Sequence, residues 1–212
     1  MDKKLKKARN YDQFVQEYCL PIYPVVADKA LERSGVLSGV LLDIGCGGGY
    51  LGMELMKRAD FEGVFLDIDE ASLSLVQERM SFHDFRGRTV LGDVHSMPFA
   101  DGSFDLVVSR GSMPFWKDQD QAIREIWRVL SPAGKAYIGV GYGSAVIRKQ
   151  IRDRLGKSEG ELAGPRGRGK ETWMYTDNEP YERILDRLGA DYTIYDQNGE
   201  GRWFLFGKSQ TK

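Results

Sequence analysis

Apolar positions in the first half of the chain fall into short runs closed by acidic residues and glycines. Val40–Ile44 and Gly63–Asp67 predict two strands buried on both faces. A helix is predicted between them, from about Gly48 to Arg58. Asp69 is placed to cap the next helix, with Glu70 in its first turn where the dipole favours an anion, and Leu73, Val76 and Met80 share one face of it. Arg88–Gly92 and Phe104–Ser109 predict a third and a fourth strand around the turn-rich Met97-Pro98-Phe99-Ala100-Asp101-Gly102. Ile123, Ile126, Trp127 and Leu130 recur at helical spacing over about 118–130; Ser131-Pro132-Ala133-Gly134 ends that helix, and Lys135–Val140 forms the fifth strand.

Asn178, Pro180 and Gly189 bracket a further helix over about 179–188. Asp191–Tyr195 and Arg202–Phe206 form a terminal hairpin through Asn198-Gly199. At the other end, residues 11–34 read as one or two helices interrupted near Pro21 and Pro24. Strands alternating with helices predict an α/β fold, a mainly parallel sheet covered on both faces, with one antiparallel strand from the hairpin.

The 212 residues fit one domain, and 42% hydrophobic with 29% charged residues is ordinary for a globular protein. Cys19 and Cys46 have neither metal-ligand nor disulfide spacing, which predicts a reducing, cytoplasmic setting. No apolar run reaches the length of a membrane span. Lys3, Lys4, Lys6, Lys7 and Arg9 precede no long apolar segment, so they read as a basic tail rather than a secretory signal. The net charge of −1 conceals one polarised region: residues 144–170 carry eight basic and three acidic side chains. There Ile147, Ile151 and Leu155 predict an amphipathic helix, and Gly156–Lys170 a glycine-rich loop.

The chemistry concentrates where the first strand runs into Asp43-Ile44-Gly45-Cys46-Gly47-Gly48-Gly49-Tyr50. A strand, a glycine turn and a helix N-terminus in that order let a nucleotide-bearing cofactor approach the backbone closely. A dinucleotide site requires G-x-G-x-x-G; from Gly45 the third glycine would fall on Tyr50, which argues against a nucleotide-dependent oxidoreductase. The spacing present is D-x-G-x-G-x-G, and it resembles motif I of the class I S-adenosylmethionine (SAM)-dependent methyltransferases. The later motifs fit in order: Asp67 ending the second strand, Gly92-Asp93-Val94 after the third, Ser103–Ser109 in the fourth, and Arg128–Lys135, which departs from the family's turn at Ser131 and Ala133.

The resemblance, covering roughly residues 37 to 207, implies a Rossmann-like seven-stranded sheet of order 3-2-1-4-5-7-6 with strand 7 antiparallel. Its motif layout is similar to the quinone-biosynthesis methyltransferase-like group. It implies S-adenosyl-L-methionine as cofactor, held by Asp43, Gly45, Cys46, Gly47, Gly49, Asp67, Ile68, Gly92, Asp93, Val94 and Arg110. A carboxylate at Asp67 accepts both hydroxyls of a ribose diol. Asp93 and the Val94 amide suit an adenine edge, and Asp43 complements the ammonium of the methionine moiety, directly or through water. Tyr50, Phe115 and Trp116 supply apolar or cation–π walls.

Methyl transfer to a well-placed acceptor needs a base only if the acceptor must lose a proton, so no catalytic residue is assigned. His95 is one candidate base, and Arg110 a candidate for an anionic group. Residues 109–116 lack the [N/D]-P-P-[Y/F] signature of amino-methyltransferases and suit a small acceptor with an apolar or aromatic body. Residues 1–36 (a tail and helices carrying Tyr11, Phe14, Tyr18 and Tyr23) and the 144–175 segment are the expected covers of the acceptor space. Two other readings stay open: an RNA methyltransferase contacting RNA through residues 144–170, and a SAM-binding module without transferase activity.

Overall fold

The computed structural model describes residues 3–157, 178–196 and 199–209. Its strands are β1 (Ser38–Ile44), β2 (Asp60–Asp67), β3 (Gly87–Leu91), β4 (Phe104–Arg110), β5 (Leu130–Gly141), β6 (Ala190–Tyr195) and β7 (Gly201–Lys208). They form one sheet in the order β3-β2-β1-β4-β5-β7-β6, the first four pairings parallel and β7 antiparallel to both neighbours. The mainly parallel sheet with one reversed strand is the one the alternation predicts, and the strand order is the one the family resemblance implies.

Helices α1 (Lys3–Phe14), α2 (Ile22–Ser34), α3 (Tyr50–Met56), α4 (Glu70–His83), α5 (Gln119–Val129), α6 (Ala145–Arg154) and α7 (Glu179–Arg187) cover the sheet. Alternation along each strand sends neighbouring side chains to opposite layers. Leu42, Ile44 and Val107 pack with Ile123 and Ile126 of α5 and Ile184 of α7. Leu41, Leu106 and Val108 pack on the other face with Ile22 and Val26 of α2, Leu51 of α3 and Ile151 of α6. On that face Tyr137 and Trp203 stack with centroids 5.0 Å apart. Asp105 of β4 fastens the sheet's lower end, accepting from the Val40 amide at 2.9 Å and the Ser131 hydroxyl at 3.0 Å.

Three local expectations are corrected. The basic N-terminus is helical from Lys3 rather than a tail, because Ala8 and Asp12 on α1 are buried against the protein. The break in the N-terminal helices is a π-helical turn, Val15–Cys19, followed by Leu20 and Pro21; Pro24 sits in the first turn of α2, where its missing N–H leaves no bond unmade. Ser131–Gly134 lies inside β5 as an irregularity, since Phe104 pairs with Leu130 and Leu106 with Lys135.

The predicted basic helix of the 144–175 segment is α6. Its glycine-rich continuation, with Arg166, Arg168 and Lys170, and Asn198 of the hairpin turn lie outside the described residues. No helix among the described residues is long and apolar enough to cross a membrane.

Candidate active site

The parallel strands β1 and β2 end in Asp43-Ile44 and Asp67, and Asp93 follows β3 by two residues, so the carboxylates gather at the carboxyl edge of the sheet. Asp43 is only 2% exposed and accepts a 2.9 Å hydrogen bond from the Gly52 amide in the first turn of α3. Burial raises its carboxyl to about 7; the Gly52 bond opposes the rise and Asp67 adds to it.

Asp67 is half-buried, and its two oxygens accept from the amides of Gly47 (2.9 Å) and Asp69 (3.0 Å). Each oxygen keeps a second lone pair, which is the capacity a vicinal diol requires. Burial pushes this carboxyl up too, against the backbone amides of Gly47, Asp69 and Ile68.

The glycine loop is tied down from within. Gly45 and Cys46 donate to Leu66 O at 2.8 and 3.2 Å, Gly47 donates to Asp67, and Gly49 donates to Cys46 O at 2.8 Å. These amides therefore do not form the anion-binding nest of a pyrophosphate loop. Gly45 and Gly47 have positive φ, +62° and +52°, for different reasons. A Cβ at Gly45 would stand 2.3 Å from Ser112 Cβ, whereas one at Gly47 would meet no protein atom within 4 Å. Gly47 borders space beside Asp67 that no protein atom fills. A cofactor with a ribose, a cationic centre and no phosphate fits this cradle.

At the β3 end, Asp93 Oδ1 accepts from the amide and ring Nδ1 of His95, which holds its carboxyl below the usual range. The Val94 amide donates no hydrogen bond among the described residues, while its side chain is buried. Ile68 (75% exposed) and Leu91 (58%) offer bare apolar surface at the ends of β2 and β3. Leu91 is a residue the motif reading missed; it immediately precedes Gly92. His95 is not poised as a base. Its Nδ1 pairs with Asp93, and its Nε2 accepts from the Asp118 amide at 3.1 Å, so both ring nitrogens are engaged and the ring joins the turn to the start of α5.

The segment after β4 is pinned to the glycine loop through Ser112. Its hydroxyl lies 2.6 Å from Ser109 Oγ, donates to Ile44 O at 3.3 Å, and accepts from Trp116 Nε1 at 3.1 Å. Trp116 is thereby fixed, whereas Phe115 stands 64% exposed. Arg110 turns toward β5 and α2, with Nε donating to Gly141 O at 3.2 Å. Cys46 is an inert filler: burial, with Asp43 and Asp67 beside it, pushes its thiol far up.

Sequence reasoning also missed the bond between the loop and the N-terminal helix. Asp12, 6% exposed, accepts from Tyr50 OH (2.9 Å), Gln16 Nε2 (2.7 Å) and Arg79 Nη2. Arg79 Nη1 donates to Gly48 O at 2.7 Å, and its guanidinium lies 4.4 Å from the Tyr50 ring centroid. Tyr50 in turn stacks on Tyr23 at 5.2 Å. The available signal was slight: one carboxylate in a basic segment, and one arginine beside the apolar face of α4.

The family described as Methyltransferase domain matches residues 42–138. A solved structure from Methanococcus maripaludis, assigned to the SAM-dependent methyltransferases, is 32% identical, with a TM-score of 0.83 over 100% of this chain and 97% of that one. The chain belongs to the class I SAM-dependent methyltransferases. Among curated relatives, the ubiquinone/menaquinone biosynthesis C-methyltransferase UbiE of Idiomarina loihiensis is 30% identical over 62% of this chain and 54% of its own length. The mitochondrial arginine-hydroxylase NDUFAF5 of Danio rerio is 35% identical over 81% of this chain and 50% of its own. The first curated relatives are matched over about a third to three fifths of their length.

Proposed function

We propose that this protein transfers the methyl group of S-adenosyl-L-methionine to a small organic acceptor held between the carboxyl ends of β4 and β5 and the N-terminal helices. The observation that carries the reading is the division of the sheet edge. Carboxylates line the β1–β3 side, while aromatic rings and one guanidinium line the β4–β5 side.

On the first side, Asp67 binds the ribose hydroxyls through its free lone pairs, and Gly47 leaves them room. Asp93 Oδ2 and the Val94 amide address the adenine edge, with Ile68 and Leu91 against its faces. Gly45, Cys46, Gly49 and Gly92 shape the backbone around the cofactor, and Asp43 complements the methionine ammonium from beneath the loop, through water. Bound there, S-adenosyl-L-methionine supplies an electrophilic methyl group on a sulfonium. Tyr23, Tyr50 and Trp116, all held by partners of their own, position the acceptor and exclude water; alignment carries much of such a reaction.

UbiE, by its name, is a quinone-biosynthesis C-methyltransferase, which supports a small acceptor. The free cysteines fit a reducing, cytoplasmic setting. The test is incubation with methyl-labelled cofactor and a cell extract fractionated into small molecules, RNA and protein. Label in the small-molecule fraction is expected. Label confined to RNA would replace this reading with nucleic-acid methylation through the basic segment, and no label despite binding of S-adenosylhomocysteine would reduce the protein to a binding module.

A further inference from the structure

Arg110 carries a charge that the described residues do not answer. It ends β4, and its side chain leans away from the carboxylate strands: Nε donates to Gly141 O at 3.2 Å, Nη1 lies 3.5 Å from Tyr23 OH, and the guanidinium sits 5.3 Å from the Tyr23 ring centroid. The other groups that act most strongly on it are Cys19, Tyr11 and Tyr142. None is a carboxylate, and no described Asp or Glu forms an ion pair with it. Burial pushes the Tyr23 phenol and the Cys19 thiol up, so both stay neutral and neither acts as counter-ion. Arg33 and Arg79, also half-buried, each pair with a carboxylate, Glu200 and Asp12 respectively.

A half-buried guanidinium without an anion is costly to keep in a structure. Its geometry is also particular. The Nε bond to Gly141 O restrains the group and Nη1 spends one hydrogen on the long 3.5 Å contact to Tyr23 OH, so Nη2 and the second Nη1 hydrogen remain as the two-pronged donor that matches a carboxylate. We infer that Arg110 is a specificity residue that holds a carboxylate of the methyl acceptor, so that the acceptor is a small organic acid oriented by a two-pronged ion pair at the end of β4. This deepens the small-molecule reading above and rests on it. It also moves Arg110 from the cofactor contacts, where the family resemblance puts it, to the acceptor. The methionine carboxylate of the cofactor is the competing source of the same chemistry.

The test is calorimetric titration of the full chain, first with S-adenosylhomocysteine and then, when saturated, with benzoate, 4-hydroxybenzoate, hexanoate and malonate, each beside its amide. Wild type, Arg110→Gln and Arg110→Lys are compared. At least one acid should bind wild type about tenfold more tightly than its amide, a preference lost in Arg110→Gln and weakened without being abolished in Arg110→Lys, which keeps the charge but not the two-pronged edge. S-adenosylhomocysteine should bind all three within about twofold, which also shows that the variants fold. Equal binding of every acid and amide to wild type overturns the inference. So does a loss of about tenfold or more in S-adenosylhomocysteine affinity in Arg110→Gln, which would give the guanidinium to the cofactor. Failure of wild type to bind S-adenosylhomocysteine at all would instead sink the methyltransferase reading itself.

Discussion

Arg79 on α4 pairs with Asp12 on α1 and, with its other terminal nitrogen, donates to the carbonyl of Gly48 at 2.7 Å. One side chain therefore joins the N-terminal helix to the backbone of the cofactor loop. A basic segment with little apolar content becomes the ordered helix α1 because Asp12, the hub of this network, is buried near its C-terminal end.

Asp12→Ala should leave Arg79 desolvated and unpaired. Removing one partner of a buried ion pair costs about 3 kcal/mol, which lowers Tm by roughly 6–12 °C in a domain of this size. Cofactor affinity should fall as well, because Gly48 and Tyr50 lose a shared restraint. Thermal melts with and without S-adenosylhomocysteine check both effects; an unchanged melting point would show that the α1 contact carries no stability.

Two glycines of one motif should respond differently to alanine. Gly45→Ala sets a Cβ 2.3 Å from Ser112 Cβ at a φ of +62°, so the fold should suffer. Gly47→Ala meets no protein atom within 4 Å and should cost only the left-handed backbone penalty of about 1 kcal/mol. Its Cβ intrudes instead on the space beside Asp67, so S-adenosylhomocysteine affinity should drop while the melting point stays close to wild type. The same Tm loss in both variants would contradict the assignment of that space to a ligand.

Asp43 predicts a pH dependence. Its folded carboxyl, raised to about 7 by burial, exceeds the ordinary unfolded value near ~3.9. The proton is thus held more tightly in the folded state. This stabilisation is fully present below the unfolded value and is lost as pH rises through about 7. Asp43→Asn, which keeps an acceptor for the Gly52 amide, should therefore gain in Tm relative to wild type between pH 5 and pH 8. An ammonium nearby favours the ionised form, so wild-type affinity for S-adenosylhomocysteine should strengthen over the same interval and the variant's should not. Parallel pH profiles for the two proteins would refute this role.

The alternation of strands and helices, the reversed terminal hairpin and the Asp69 cap were legible because each depends on local pattern: apolar runs, glycine turns and an acid before a helix; the strand order itself came only with the family resemblance. The Asp43–Gly49 loop was legible for the same reason, since close approach to a ligand restricts residue type at fixed spacing. What escaped was long-range pairing. Nothing near Ser112 in sequence says that its hydroxyl will meet Ile44 O and Trp116, and nothing near Asp12 announces Arg79. His95 stayed open as a candidate base because one dimension shows the side chain but not the Asp118 amide that occupies its second nitrogen. Leu91 stood out only as part of the predicted third strand, and it is because β3 is an edge strand that it lies bare.

The most direct test of the central claim is a crystal structure of the chain with S-adenosylhomocysteine. The account predicts both ribose hydroxyls on the carboxylate of Asp67, the adenine between Ile68 and Leu91 with its edge at Asp93 and Val94, and the sulfur facing the space beside Arg110. A ligand bound elsewhere, or a ribose that leaves Asp67 with only its Gly47 and Asp69 amides, would contradict it.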